Sequence, residues 1–358
     1  MSDFFSNIWV TLVAPLVVLF IGAVAATWSW PRIQRRIAAR DLPAGDASHF
    51  TILVVELEDD DEKRSQTKHV IQSLRAQFGA HLDSKAFAVI DYPMVLKSGN
   101  VGLLDQRDKA AEQKGRDWLR EKNAHLLIWG SVAEANKVVR LRFLPVEGDG
   151  QNEKGYKLSD ILELPSNFKY DLSAGLAAYV LSEAIPAFDA TKSLVKIIEP
   201  LLPRMKNVVD HGGVDLSAEC YGSICTSAAV SFLIFGQHSG EQYWMDESLA
   251  AFSKAAAASN PDELPNEWAV AQCNLGAALA AVAEQKESIG VTALLERSIK
   301  AFQNALTIQT KQYTPGDWAT SQSNLGNAFR ILAAGSEDSA RDELLNRSVL
   351  ALDRKSVV

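Results

Sequence analysis

An internal repeat in the C-terminal third of the chain constrains its fold more than any other feature. Short blocks recur with a shared offset of 50 residues: Pro265–Ala269 with Pro315–Ala319, Gln272–Gly276 with Gln322–Gly326, and Leu294–Ser298 with Leu344–Ser348. Ser248–Phe252 precedes Ser298–Phe302 by the same interval of 50 residues. A fixed period of roughly 20 to 50 residues indicates stacked units, each of which buries its apolar face against the next.

Each repeated unit is predicted to be a pair of helices. In the first helix Leu275 and Gly276 lie one turn after Gln272, and the glycine allows a neighbouring helix to approach closely. In the second helix apolar residues recur at helical spacing: Leu295, Ile299, Phe302, Ala305 and Leu306. The pattern predicts an all-α solenoid over residues 216–358.

These blocks resemble the tetratricopeptide repeat family. The small residue after Leu275 in the first helix, and the spacing of Ser298, Phe302 and Ala305 in the second, match that family's pattern. The resemblance covers about residues 228–352. It implies a surface that binds a protein or peptide partner.

The array departs from the usual tetratricopeptide period of about 34 residues. Additional residues fall within the hairpin, at Lys286–Thr292, and between hairpins, at Thr307–Thr314. In the earlier unit Gly236 lies twelve residues before Ser248, and we take it as the first-helix glycine of a shorter hairpin.

The last unit ends after half a hairpin, at Ser348–Leu352, and is followed by the tail Asp353–Val358. One permitted back-translation of that tail, GATCGGAAGAGCGTCGTG, matches a common sequencing-adapter sequence whose next triplet is a stop codon. We therefore expect that the C-terminus is truncated in the gene model and that the natural protein carries more repeats. Finding the same codons and stop in the re-sequenced genome would contradict this expectation.

The N-terminus predicts a single-pass membrane anchor at residues 1–31. No charged side chain occurs from Phe4 to Trp30, and a helix over residues 8–30 would be about 34 Å long, enough for a hydrocarbon core of about 30 Å. Basic residues follow the apolar run: Arg32, Arg35, Arg36 and Arg40. The positive-inside rule then places the later domains in the cytoplasm, on the inner membrane. The alternatives are a buried helix and a cleaved signal peptide, which normally carries its positive charge before the apolar run.

An α/β domain is predicted at residues 49–148, after a basic juxtamembrane linker at residues 32–48. Helices are predicted at about residues 64–78 and 106–122, and strands at four runs: Thr51–Leu57, Phe87–Tyr92, Leu126–Val132 and Val138–Leu144. The order β-α-β-α-β-β predicts an α/β sandwich. This order and the stretch Ile128–Ser131 resemble the amino-terminal domain of TolB-like proteins, which implies a binding or assembly module and not an enzyme.

Residues 149–215 are predicted to form a helical bridge between the α/β domain and the repeats. A strand is possible around Lys157–Leu164, and helices are predicted at about residues 171–187 and 190–209. Pro186, Pro200 and Pro203 would break or kink those helices.

The acidic and glycine-containing stretches offer weak candidates for ligand sites. Asp59–Asp61 could bind Mg²⁺ through carboxylates, but a solvated acidic loop is the simpler interpretation. Gly150–Gly155 has the gap of a phosphate-binding loop, but Tyr156 occupies the position of the essential lysine.

Other residues are interpreted as structural. The three cysteines, Cys220, Cys225 and Cys273, lack the paired spacing of zinc sites and are predicted to be buried thiols. Trp268 and Trp318 could stack on a ligand, but their repetition at the array's own period favours packing between hairpins.

We therefore predict a multidomain protein with an N-terminal transmembrane helix, an α/β sandwich domain and a C-terminal all-α solenoid. No catalytic, cofactor-binding or metal-binding residue is predicted, and the net charge of -8 argues against nucleic acid as a partner. The leading hypothesis is a scaffold with a protein or peptide partner on the repeats and the lipid bilayer at residues 8–30. The alternative is a sensor, in which the α/β domain binds a small ligand and the repeats relay that state.

Overall fold

The computed structural model describes residues 33–46, 50–79, 87–97, 104–133, 137–146, 156, 161–169, 171–184, 195–196, 198–212, 216–285 and 290–355. Within this part, a mixed five-stranded sheet occupies the N-terminal half and helices form the rest. The predicted anchor at residues 8–30 and the glycine-containing stretch Gly150–Gly155 lie outside the described residues.

The strands and helices predicted for the α/β region are confirmed within a few residues at each end. The elements in chain order are α1 (33–41), β1 (Phe50–Glu56), α2 (Ser65–Gly79), β2 (Phe87–Val95), α3 (Leu104–Glu121), β3 (Leu126–Ala133), β4 (Val138–Pro145) and β5 (Leu162–Pro165). Strand β5 lies where the sequence allowed a strand, near Lys157–Leu164.

The sheet has the strand order β2-β1-β3-β4-β5. Strand β1 is parallel to both neighbours, whereas β3, β4 and β5 are antiparallel. Because side chains alternate along a strand, β1 packs on both faces. Ile52 and Val54 join the core on the α2 side, and Leu53 and Val55 pack with Leu119 of α3 on the other side. This explains why β1 is apolar at almost every position.

Gly130 in β3 is required by the close approach of β4. Its φ angle is +152°, and a Cβ atom there would lie 1.8 Å from the carbonyl oxygen of Arg140. This glycine belongs to the stretch that suggested the TolB-like resemblance, so a part of that signal reflects the packing of one hairpin.

The stretch predicted as a juxtamembrane linker contains helix α1, which packs against the α/β domain. Ala39 is buried in the core on the α3 side of the sheet. The Lys122 ammonium donates hydrogen bonds to the carbonyl oxygens of Arg40 and Leu42, at 3.0 Å each. The final carbonyls of a helix have no partner within the helix, so the lysine stabilises the end of α1.

The remaining helices in chain order are α4 (Asp171–Ala184), α5 (Leu202–His211), α6 (Ala218–Ser239), α7 (Gln242–Ala258), α8 (Pro265–Gln285), α9 (Val291–Ile308), α10 (Pro315–Ala334) and α11 (Asp338–Lys355). The helix predicted at 190–209 differs, because a 3-10 turn at Glu199–Leu201 precedes α5. Pro203 lies in the first turn of α5, where the missing N–H has no helical partner to lose.

The sheet and the helices share one hydrophobic core, which includes residues of α2, of β1, β3, β4 and β5, and of α4 to α8. Phe143 of β4, for example, packs on Tyr179 of α4 with ring centroids 4.4 Å apart. Within the described part of the chain, α6 alone is long and apolar enough to cross a bilayer, but 78% of its most apolar window is buried in the fold. Its composition is that of a central core helix.

Candidate functional site

The same internal hydrogen bond occurs in each of the hairpins α6–α7, α8–α9 and α10–α11. A buried serine in each second helix donates to a backbone carbonyl of the facing first helix: Ser248 to Ala229 at 2.8 Å, Ser298 to Gly276 at 2.7 Å, and Ser348 to Gly326 at 2.8 Å. A carbonyl oxygen has two lone pairs, so it can accept this bond in addition to its helical one. The bond sets the relative height of the two helices in each hairpin.

This hydrogen bond shows that Ala229, and not Gly236, is the first-hairpin equivalent of Gly276. Ser298 bonds the residue 22 positions before it, whereas Ser248 bonds the residue 19 positions before it. The linker between the two helices has five residues in the second hairpin (290 minus 285) and two residues in the first (241 minus 239). This difference of three residues equals the difference between the two intervals. The interpretation of Gly236 is therefore wrong, although the hairpin is indeed shorter.

The close approach predicted at Gly276 is confirmed. A Cβ atom on Gly276 would lie 2.8 Å from Cε1 of Phe302, whose side chain is almost completely buried. A Cβ atom on Gly326 would lie 2.8 Å from Cγ of Leu352. The two glycines are therefore points of close contact between the helices of their hairpins.

The first helices of successive hairpins line a groove with a volume of about 430 Å³. Helix α6 presents one face to the groove, from Glu219 to Thr226, and α8 presents another, from Asn266 to Asn274. The groove is completed by Ile161 next to β5 and by residues of the turn between α9 and α10. The site is therefore assembled from the α/β domain and three hairpins.

Small side chains create the floor of the groove. Gly222 and Ser223 of α6 face Ala255 and Ser259 at the end of α7. A Cβ atom on Gly222 would approach nothing closer than 3.6 Å, the carbonyl oxygen of Ala255. The floor therefore has room for an alanine at position 222, and a longer side chain there would fill the groove.

Carboxylates mark the groove as electronegative. Glu219, Glu267 and Asp317 line it from the first turns of α6, α8 and α10. Acidic residues in the first turn also stabilise a helix through its dipole, so these side chains have a structural role as well. Among the described residues that line the groove, none is lysine, arginine or histidine.

Two nearly buried amides lie in the wall of the groove. Asn274 is 2% exposed and Gln309 is 4% exposed. The Gln309 side-chain oxygen accepts a hydrogen bond from the Ser321 hydroxyl, which also contacts the Cys273 sulfur at 3.2 Å. The Gln309 amide therefore connects the end of α9 to α10.

The tryptophans of the repeat lie outside the lining of the groove. Trp268 packs against an apolar cluster that includes Ala269 and Phe302, as expected of a residue between hairpins. Trp318 is half-buried.

Helix α11 exposes apolar side chains that its counterpart α9 buries. Leu352 is 41% exposed, whereas Phe302, 50 residues earlier, is 1% exposed because α10 packs over it. Val349 and Leu350 are 55% and 59% exposed. Within the described residues the corresponding face of α11 is uncovered, and the expectation of further repeats stays a prediction.

An ion network lies where β1 ends. The Arg64 guanidinium binds the Asp91 carboxylate through two nitrogens, with Nη1 3.2 Å from Oδ2. Arg64 Nε is 3.3 Å from Glu56 Oε2, and Arg35 of α1 reaches Glu56 Oε1 at 3.0 Å. Crevices at the carboxyl ends of parallel strands commonly bind ligands, so this network is the candidate site for the sensor hypothesis.

The acidic loop Asp59–Asp61 precedes helix α2, which starts at Ser65. Asp60 accepts hydrogen bonds from the backbone N–H groups of Gln66 and Thr67, at 3.1 and 2.8 Å, and from the Thr67 hydroxyl. Hydrogen bonds from Ser65 lower the pKa of the Asp61 carboxyl. These carboxylates therefore stabilise the start of a helix, and the described residues contain no His, Cys, Asp and Glu cluster suited to a metal ion.

The cysteines are buried and reduced, as predicted. Cys220, Cys225 and Cys273 are free thiols inside the helical region. Burial raises the pKa of the Cys220 and Cys225 thiols to about 12, so neither is a reactive nucleophile near neutral pH.

Comparison of the chain with protein-family models, with curated proteins and with solved structures found no match.

Proposed function

We propose that this protein is a membrane-anchored cytoplasmic scaffold that binds an extended protein or peptide segment in the groove lined by α6, α8 and α10. The observation that carries the proposal is the groove itself, whose volume of about 430 Å³ lies in the usual range for ligand sites, about 300 to 1,000 Å³. The tetratricopeptide-like sequence of the same helices supports a protein partner. No catalytic role is proposed.

The charge of the groove suggests the chemistry of its partner. Glu219, Glu267 and Asp317 would repel an acidic segment and favour one that carries lysine or arginine. We therefore propose a partner with a short basic stretch in extended conformation.

In this proposal, residues 8–30 anchor the chain in the inner membrane and the domains after residue 31 face the cytoplasm. The α/β domain, similar in element order to the TolB amino-terminal domain, forms one end of the groove through Ile161. It therefore supports the site in addition to connecting it to the anchor.

Site-specific photo-crosslinking in cells tests the proposal. A benzophenone amino acid at Val270, in the groove, is expected to capture a protein partner, whereas the same residue at Tyr243, which is 52% exposed and outside the groove, is not. Gly222→Leu fills the groove and should abolish the crosslink, and Gly222→Ala is the matched control that should keep it. Equal crosslinking at positions 270 and 243, or a crosslink unchanged by Gly222→Leu, would refute a groove-bound partner.

The ion network of Arg35, Glu56, Arg64 and Asp91 favours a second candidate, a ligand-sensing α/β domain. In that case an anionic ligand would compete with the carboxylates for Arg64. Thermal stabilisation of the full chain by a small ligand, lost in Arg64→Met but kept in Gly222→Leu, would support this function over the scaffold.

A further inference from the structure

Helix α1 contacts the α/β domain through one face. Ala39 is 3% exposed, Leu42 packs against the same core, and Arg35 forms an ion pair with Glu56 at 3.0 Å. Arg35 and Ala39 lie one turn apart and about 40° from one another around the helix, and Leu42 directly follows its end. Together with the Lys122 hydrogen bonds, they hold α1 in a fixed orientation on the domain.

The opposite face of α1 is exposed and amphipathic. Ile33 and Ile37 are 43% and 45% exposed and lie one turn apart. Arg36 and Arg40, also one turn apart, are exposed beside them. These four residues, the outer face of α1, occupy an arc of about 100° whose centre lies about 110° from Ala39 around the helix.

The arginines of the outer face are available to a polyanionic surface. The Arg40 Nε atom lies 3.2 Å from Asp41 Oδ1, but both side chains are exposed, and exposed pairs of this kind are weak. Paired isoleucines flanked by guanidinium groups match the boundary of a bilayer, where aliphatic groups enter the acyl region and cations bind lipid phosphates.

We propose that the outer face of α1 lies flat against the headgroup region of an anionic bilayer. The position of α1 supports this, since Ile33 lies three residues after Trp30, where the uncharged run ends. Only the nearness of the bilayer rests on the proposed anchor; the choice of face comes from how α1 packs on the domain. Because α1 is fixed to the domain, this contact would also set how the α/β domain is oriented on the membrane.

Lipid-dependent fluorescence quenching tests the proposal on the full chain. The protein is reconstituted in nanodiscs of phosphatidylcholine, with or without phosphatidylglycerol, and an environment-sensitive dye is attached at Ile37→Cys. Ala38→Cys is the matched control, because position 38 is exposed but about 100° away around the helix. The natural cysteines are buried, so the dye reacts with the introduced thiol.

Quenching by spin-labelled lipid is expected to be several-fold stronger at position 37 than at position 38, and stronger with phosphatidylglycerol. Each arginine near an anionic surface contributes about a fivefold factor, so Arg36→Gln with Arg40→Gln should lower the equilibrium constant for docking of α1 on the bilayer about 25-fold. Equal quenching at both positions, or none at position 37 in a chain that co-elutes with the nanodiscs, would overturn the proposal. A chain that does not co-elute contradicts the anchor and this contact together.

Discussion

Gly276→Ala introduces a methyl group at a point where two helices already touch. The new Cβ atom would lie 2.8, 2.9 and 3.0 Å from three ring carbons of Phe302. Real Cβ atoms essentially never approach another heavy atom within 3.0 Å, and Phe302 is 1% exposed, so its ring has little space into which to move. The substitution should therefore force α8 and α9 apart.

The magnitude follows from two opposing terms. Replacing glycine by alanine inside a helix stabilises it by about 1 kcal/mol, whereas overpacking a well-packed core costs about 1 to 3 kcal/mol. We expect Gly276→Ala to lower the free energy of unfolding by about 0 to 2 kcal/mol. Gly222→Ala gains the helix term with no clash, because its Cβ atom would meet nothing closer than 3.6 Å.

Both variants gain the same stabilisation from replacing glycine by alanine inside a helix. The difference between their free energies of unfolding therefore measures the cost of packing the new methyl group. Urea unfolding of the detergent-solubilised full chain, followed by circular dichroism, should give a lower midpoint for Gly276→Ala than for the parent and a higher one for Gly222→Ala. The expected separation is about 1 to 3 kcal/mol at equal slope. If both substitutions raise the midpoint equally, the close contact with Phe302 is not a constraint and the reasoning fails.

Two further predictions concern ionisable groups. Because burial raises the pKa of the Cys220 and Cys225 thiols to about 12, a thiol reagent at pH 8 should label them only after unfolding in urea; rapid labelling of the folded protein would contradict their burial. Hydrogen bonds from Lys254 and Lys206 lower the pKa of the Asp210 carboxyl below its ordinary 3.8. These hydrogen bonds stabilise the fold above pH 3.8, and their contribution is lost as the pH falls through the folded-state pKa of Asp210. The urea midpoint of the parent should therefore fall more steeply below pH 3.8 than the urea midpoint of Asp210→Asn.

Local sequence patterns were sufficient to identify the elements of the fold. A β-branched run predicted β1, an apolar run predicted β3, and the alternation along β4 predicted its pairing with β3, because these signals lie within a few residues of chain. The shared offset of 50 residues predicted the hairpins α8–α9 and α10–α11, and the glycine at position 276 predicted their close contact.

Contacts between distant residues were decided only by tertiary structure. The sequence suggested Gly236 as the repeat glycine, but the bond from Ser248 to Ala229 depends on a linker length that residue matching did not take into account. The packing of α1 depends on Lys122, which is 82 positions from Arg40.

The groove shows the same division. The sequence predicted the apolar stripe of a second helix from its own spacing, but Glu219, Glu267 and Asp317 line a common surface only when three hairpins and the sheet are stacked. Periodicity indicates which side of a helix or strand is buried, because the pattern of apolar residues lies within that single element. It does not report which elements face each other, because that depends on the summed packing energy of the whole chain.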